Sequence, residues 1–71
     1  MALFQVGKDF DTPRKAGAAE LFQIDTLIDE NENNVTNMID VGTFFHDNNE
    51  LKRYLSRIFE IAVEEIELEN L

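Results

Sequence analysis

The sequence predicts an α+β fold in which a small antiparallel sheet of about three strands packs on a long C-terminal helix. Three features of the chain predict it. They are a short apolar segment near the N-terminus, two stretches of alternating apolar residues in the middle, and an amphipathic pattern in the last third. The 71 residues suffice for one small domain, residues 1–71, with no internal repeat or linker.

The first strand is predicted at residues 2–6, where the apolar ALFQV precedes Gly7. Residues 7–18 predict a loop with a turn of helix after Pro13, since proline suits a first helical position. A hairpin is predicted next, because two apolar sets of strand parity flank the turn-forming ENENN: Phe22, Ile24 and Ile28, then Val35, Ile39 and Val41. The alternative is a helix over residues 16–28, whose alanines are good helix formers.

The last third predicts a helix that begins at Asp47, which precedes Glu50 by three residues in a capping-box arrangement. One helical stripe follows, formed by Leu51, Tyr54, Leu55, Ile58, Phe59 and Ala62. Beyond it, EEIELEN alternates in polarity, so the tail either continues the helix or leaves it near residues 63–64 and becomes extended. The predicted core is Leu3, Phe22, Ile24, Val35, Ile39, Val41, Leu51, Leu55, Ile58, Phe59 and Ala62.

Charge is the most extreme property of the chain, which has 15 acidic and 6 basic residues and a formal net charge of −9. Eight acids and no base lie between Ala16 and Leu51, and five acids and no base follow Arg57. Such a field repels anionic membranes and attracts basic proteins. Direct nucleic-acid binding is disfavoured because lysine and arginine contacts to phosphates supply most of its affinity. Lys52, Arg53 and Arg57 are expected to pair with nearby acids, Arg57 with Glu60.

The sequence carries no catalytic or cofactor-binding pattern. It has no cysteine, one histidine (His46) and one serine (Ser56), so a nucleophile–base pair with an orienting third group is not recognisable. Its three isolated glycines do not form a phosphate-binding loop. We therefore expect a protein that is not an enzyme and uses no cofactor and no metal.

One stretch, Asp29–Asp40, resembles an EF-hand calcium loop, with oxygen-bearing side chains at positions 1, 3, 5, 9 and 12. It departs from that loop at position 6, where Asn34 replaces glycine, and at position 12, where Asp40 is shorter than the usual glutamate. A polar turn is the preferred interpretation, and a weak calcium-binding module is the alternative.

No signal peptide and no apolar run of membrane-spanning length is visible in the sequence. The absence of cysteine fits a reducing compartment. A cytoplasmic location is therefore expected, without membrane association.

The acids near the C-terminus form a row in either conformation of the tail. A helix places Glu60, Glu64 and Glu67 on one face, whereas a strand places Glu65, Glu67 and Glu69 on one face at intervals of about 6.6–6.8 Å. A DNA-binding surface could accept such a row in place of phosphates. Around the predicted hairpin, a second group extends it: Asp25, Asp29, Glu30, Glu32 and Asp40.

The small size, the absence of cysteine, the strong acidity and the lack of a catalytic motif resemble the DNA-mimic proteins that many bacteriophages make during host takeover. The resemblance implies a non-enzymatic inhibitor in the cytoplasm of a bacterial host. Such inhibitors occupy the DNA site of basic DNA-binding proteins, for example nucleases, uracil-DNA glycosylases or the nucleoid protein HU. The alternative is that the acids form only a solvated face.

Phe44 and Phe45 are adjacent, so in a strand one side chain faces the core and the other faces outward. An exposed aromatic residue often marks a partner surface, and a symmetric homodimer would bury it. The alternative is a bend that places both rings under the helix. A structural or assembly subunit that uses this aromatic surface is therefore the second expected function.

Overall fold

The computed structural model describes residues 1–17 and 20–71 and shows an α+β fold. Its strands are β1 (Ala2–Asp9), β2 (Gln23–Ile28) and β3 (Ile66–Asn70), and its α-helices are α1 (Asp11–Lys15) and α2 (Asn48–Phe59). Short 3-10 helices occupy Thr36–Met38 and Val63–Glu65. Within the described ranges, no helix has the length and apolarity needed to cross a membrane.

The sheet has three strands, as predicted, but it is mixed rather than antiparallel. Its strand order is β2-β1-β3. β1 pairs antiparallel with β2 and parallel with β3. The parallel ladder is possible because more than fifty residues, including β2 and α2, separate β1 from β3, and parallel strands need a long connection. The predicted antiparallel sheet is therefore wrong for the β1–β3 ladder.

The predicted hairpin is wrong in its second half. β2 is a strand, but it pairs with β1, and the segment that was expected to pair with it contains the 3-10 helix Thr36–Met38. This segment covers the outer edge of β2 by other means. Val35 N–H donates to the Leu27 carbonyl at 2.8 Å, and Leu27 N–H donates to Thr36 Oγ1 at 2.8 Å. The alternative helix over residues 16–28 is wrong for residues 23–28, and Ala18 and Ala19 lie outside the described residues.

The β1–β2 ladder contains a bulge that changes which residues of β2 face the core. Val6 pairs with Leu27 and Gly7 with Thr26, but Lys8 pairs with Ile24, so Asp25 is the extra residue. As a result, Ile24 and Leu27 are both buried although they lie three residues apart. The strand parity in the sequence grouped Ile28 with Phe22 and Ile24, but Ile28 is only half-buried, and Leu27, which the predicted core lacked, is buried.

α2 begins as predicted, since the Asp47 side chain accepts a hydrogen bond from Glu50 N–H at 2.9 Å. It ends at Phe59, where Glu60 takes a left-handed conformation with φ of 56° and Ser56 Oγ donates to the Ile61 carbonyl. The helix is therefore not C-terminal, and Ala62 lies beyond it. The tail takes the extended alternative as β3.

The core lies between the sheet and α2 and consists of Phe4, Val6, Phe22, Ile24, Leu27, Phe45, Leu51, Leu55 and Ile66. Four predicted members are correct: Phe22, Ile24, Leu51 and Leu55. Three more are half-buried and pack against the core: Val35, Ile39 and Phe59. The prediction is wrong for Val41, Ile58 and Ala62, which are exposed, and for Leu3, which faces the opposite side of the sheet.

α1 starts earlier than predicted, two residues before Pro13, and residues 7–9 belong to β1 rather than to a loop. Asp9 fixes this start. Its carboxylate accepts hydrogen bonds from Asp11 N–H at 2.9 Å, Thr12 N–H at 3.2 Å and the Thr12 hydroxyl at 2.7 Å. The Thr12 hydroxyl and then its N–H hold the pKa of Asp9 below its ordinary value of 3.8.

Thr12→Val should therefore raise the pKa of Asp9 towards 3.8, because it removes the hydrogen bond with the largest effect. The depressed pKa stabilises the folded chain above the unfolded-state pKa, and this contribution is lost as the pH falls through the folded-state value. An NMR titration of the Asp9 carboxyl carbon measures the change. Thr12→Ser keeps a hydroxyl and should leave the pKa low. An equal rise in both variants would contradict this assignment.

Candidate functional site

The two faces of the sheet differ in what they carry. On β1, Phe4 and Val6 point into the core, while Leu3, Gln5 and Gly7 alternate with them and point to the other side. We call this other side the open face. Its residues are half-buried or exposed: Leu3, Gln5 and Gly7 of β1, Thr26 and Ile28 of β2, and Glu67 and Glu69 of β3.

β3 contributes two carboxylates to the open face. Ile66 is buried and Leu68 is half-buried on the core side, so the alternating Glu67 and Glu69 are directed outward and are exposed. Register places Glu67 beside Leu3 and Glu69 beside Gln5. Gln5 Nε2 donates to Glu69 Oε1 at 3.2 Å, which holds that carboxylate against β1. The alternation read from the tail sequence therefore describes β3 correctly.

The bulge in β2 adds a third carboxylate. A Cβ atom built on Gly7 would lie 2.5 Å from Asp25 Oδ1 and 3.2 Å from Thr26 Cβ, so the Asp25 side chain lies directly over Gly7. A side chain at position 7 would therefore displace the Asp25 carboxylate. The Asp25 carboxylate thus occupies the space that a side chain on β1 would otherwise fill.

The loop after β2 brings further acids to the same place. Asp29 Oδ1 accepts hydrogen bonds from Asn31 N–H and Asn33 N–H, each at 2.9 Å, which fixes a tight turn. Residues 29–32 and the side chains of Leu3 and Gln5 line a shallow hollow of about 300 Å³. Residues 29–32 and the glutamates of β3 are distant in sequence, but both adjoin Leu3 and Gln5 of β1. We call the combined set the acidic face: Asp25, Asp29, Glu30, Glu32, Glu67 and Glu69.

The strands bring no basic side chain to this face. Lys8, the one base within the three strands, lies on the core side, where its Nζ donates to Asn48 Oδ1 at 2.7 Å and sits 4.8 Å from the Phe22 ring centroid. In the described residues the lysine or arginine ion pair is Arg14–Asp11 at 3.7 Å, and His46 Nδ1 lies 3.0 Å from Glu50 Oε2. The predicted pairing of Lys52, Arg53 and Arg57 with nearby acids is therefore wrong. The acidic face keeps its charge uncompensated by close ion pairs.

The remaining predicted acids lie elsewhere. Asp40 belongs to the loop that covers β2, where its Oδ1 accepts from Gly42 N–H and its own N–H donates to the Tyr54 hydroxyl. Glu60 ends α2, and Glu64 lines a hollow beside Lys52 and Arg53. Glu65 lies in the 3-10 helix before β3. The continuous row predicted from the sequence is therefore divided, and only part of it joins the acidic face.

No family model, curated protein or solved structure matches the chain. Its functional interpretation therefore depends on the geometry of its own residues.

The calcium alternative finds no support in the loop geometry. The side-chain oxygens of Asp29, Asn34 and Asp40 accept hydrogen bonds from nearby backbone N–H groups, as polar turns do. Among the described residues, no group of three or more His, Cys, Asp and Glu side chains is arranged to hold a metal ion.

His46 and Ser56 are each engaged locally. His46 Nδ1 lies 3.0 Å from Glu50 Oε2, and Ser56 Oγ donates to the Ile61 carbonyl at 2.6 Å. His46 precedes α2, and the eight residues of rise from Asn48 to Ser56 alone place Ser56 about 12 Å along the helix axis from its start. They do not form a nucleophile–base pair.

The two adjacent phenylalanines have opposite environments. Phe45 is 3% exposed and packs between the rings of Phe22 and Tyr54, with centroid distances of 5.8 and 5.3 Å. Phe44 is 40% exposed. One ring therefore faces the core and the other faces outward, and the bend that would bury both is wrong. Of the predicted dimer surface, Phe45 is not accessible and Phe44 alone remains.

Proposed function

We propose that this chain is a non-enzymatic DNA mimic that binds a basic DNA-binding protein through the acidic face and competes with DNA for it. The observation that carries the proposal is the convergence of residues 29–32 with Glu67 and Glu69 around Leu3 and Gln5, on a face to which the strands bring no base. A chain that needed acids only for solubility would not require them to be gathered on one face.

The spacing of these carboxylates suits a surface that binds phosphates. Glu67 and Glu69 lie about 6.6–6.8 Å apart along β3, and neighbouring strands are about 4.7–4.9 Å apart. Lysine and arginine side chains that bind a DNA backbone also accept carboxylates. Partners of matching chemistry are nucleoid-associated proteins such as HU, in the cytoplasm of a bacterial host taken over by a phage.

Charge would act mainly on the rate and selectivity of association. A field of one sign steers an oppositely charged partner, and salt screens it over about 8–10 Å at ordinary ionic strength. Exposed ion pairs contribute about 0.2–1 kcal/mol each, so several must act together to compete with DNA.

The test compares two variants of equal charge. The face variant carries Glu→Gln at Glu30, Glu32, Glu67 and Glu69, and the control variant carries Glu→Gln at Glu20, Glu60, Glu64 and Glu65. Each raises the formal net charge from −9 to −5. Asp25 and Asp29 are left unchanged because one lies against Gly7 and the other fixes the turn.

Wild-type chain immobilised on a support should retain a basic DNA-binding protein from bacterial lysate, and added duplex DNA or a salt gradient should release it. With the purified partner, the face variant should bind about tenfold more weakly or worse, because four pairs of about 0.6 kcal/mol each, near the middle of this range, total about 2.4 kcal/mol, and about 1.4 kcal/mol is a tenfold change. The control variant should retain most of the affinity. Equal weakening in both variants would show that net charge alone matters and would refute a specific face.

The second candidate function, assembly through an aromatic surface, is supported by the exposure of Phe44. It predicts a partner that remains bound in high salt and is lost on Phe44→Ser. The same capture experiment with this variant separates the two functions.

A further inference from the structure

The two edges of the sheet differ in whether another segment covers them. The outer edge of β2 is covered by residues 33–45: Phe22 and Phe45 exchange N–H···O bonds of 2.9 and 2.8 Å, and Val35 bonds to Leu27. No strand of the described chain pairs with the outer edge of β3, which ends the sheet. Such an edge presents hydrogen-bonding groups that another extended segment can use.

The ladder identifies which backbone groups are free. Leu71 N–H donates to the Val6 carbonyl at 3.0 Å, and Glu69 is the ladder partner of Gln5. In a parallel ladder, alternate residues direct both N–H and C=O to one neighbour. The groups of Glu67 and Glu69 therefore point to β1, and those of Leu68 and Asn70 point away from it, to the open edge.

The side chains of β3 determine which segment fits this edge. A strand placed beside β3 on its open edge would bring side chains about 4.5–5.5 Å from those of β3. On the open face they would meet Glu67 and Glu69, and on the other face they would meet the half-buried Leu68. A segment with cationic side chains on one side and apolar side chains on the other satisfies both conditions.

A second copy of this chain does not satisfy them. Pairing β3 with another β3 would place glutamates beside glutamates, and like charges on facing strands are destabilising. Charged residues on an edge strand are also a common way to prevent such self-association. The charge of β3 thus disfavours self-pairing and favours a basic partner.

We propose that the open edge of β3 binds an extended segment of another protein with lysine or arginine at alternate positions, which adds a fourth strand to the sheet. This proposal rests on the proposed function, and it specifies how the basic partner is held. Backbone hydrogen bonds would position the segment, and Glu67 and Glu69 would select its cationic side chains.

The first test uses an acetylated Lys-Val-Lys-Val-Lys peptide amide and the ¹⁵N-labelled protein. At about ten times its Kd, the peptide should slow hydrogen exchange of the Leu68 and Asn70 amides about tenfold by mass action. The reordered peptide Val-Val-Lys-Lys-Lys has the same charge and should protect them much less. Two versions of the alternating peptide carry N-methyl groups at alternate residues, one at the odd and the other at the even positions. One of them should no longer bind, because its methyl groups replace the N–H groups that face β3.

The second test uses Asn70→Pro, which keeps every carboxylate and removes an N–H that faces the open edge, a position where proline is tolerated in sheets. We expect this variant to bind the alternating peptide at least tenfold more weakly.

If the peptide does not bind, or binds without protecting Leu68 and Asn70, strand addition is wrong. If Asn70→Pro still displaces DNA from the captured partner and the face variant does not, strand addition fails and the proposed function stands. If neither wild type nor Asn70→Pro displaces DNA, yet both tests on the peptide succeed, the proposed function fails instead.

Discussion

Phe45→Ala should remove about 3–5 kcal/mol from the free energy of unfolding, the usual cost of deleting a buried aromatic ring. The Phe45 ring contacts Phe22 and Tyr54 and lies in the core beneath the loop that covers β2. A chain of this size has about 4–11 kcal/mol of stability at roughly 0.05–0.15 kcal/mol per residue. The substitution should therefore remove a large fraction of the stability of the chain.

Phe44→Ala is the matched control, since it removes the same ring from the adjacent, exposed residue. Its expected cost is about 0.5 kcal/mol, typical of surface substitutions. Urea denaturation followed by circular dichroism measures both free energies. Similar costs for the two variants would mean that the assignment of one ring to the core and the other to the surface is wrong.

Ile66→Ala should cost about 2–5 kcal/mol and lower the melting temperature by about 10 °C or more. Ile66 is 1% exposed and is the buried residue of β3. Because it anchors the strand that displays Glu67 and Glu69, its loss should also weaken the proposed binding of a basic partner, although no charge is removed.

Two controls accompany this variant. Ile66→Val keeps most of the side chain and should cost about 0.5–1.5 kcal/mol. Val63→Ala changes an exposed residue of the preceding 3-10 helix and should have little effect. Thermal unfolding measures stability, and DNA competition at a temperature where each variant is folded measures binding. If the folded Ile66→Ala variant bound the partner like wild type, Ile66 would not be needed to position Glu67 and Glu69 for binding.

α2 could be predicted from the sequence because its information is local. Asp47, Glu50 and the stripe at Leu51 and Leu55 all lie within a few turns of one another. Its end could not, since Ala62 continues the apolar spacing past the point where Glu60 takes a left-handed conformation. Ser56 Oγ also donates a hydrogen bond to the Ile61 carbonyl at this end of the helix, and no local sequence pattern predicts that bond.

Strand pairing could not be predicted, because parity identifies a strand but not its neighbour. The bulge at Asp25 changed the parity of β2, so Leu27 was missed from the core. The parallel ladder between β1 and β3 joins residues as distant in sequence as Ala2 and Ile66, and no local sequence pattern predicts such pairing.

The acids of the candidate site were predicted individually, but their arrangement was not. The alternation of Glu67 and Glu69 with Ile66 and Leu68 indicated which tail residues would be exposed on one side. The approach of residues 29–32 to the same part of β1 depends on the ladders with both neighbours of β1. Because this arrangement depends on strand pairing, the sequence could not show that Asp40 and Glu60 lie away from the acidic face.

The position of β1 between its two neighbours also has a kinetic consequence. β1 and β3 are more than fifty residues apart along the chain, and loop closure over such a distance is an entropic cost that local contacts do not share. α2 can form early from local signals, whereas the β1–β3 ladder requires the intervening chain to be folded back. A partly folded chain therefore holds its two acidic stretches apart, so the proposed binding of a basic partner would be restricted to molecules that have finished folding.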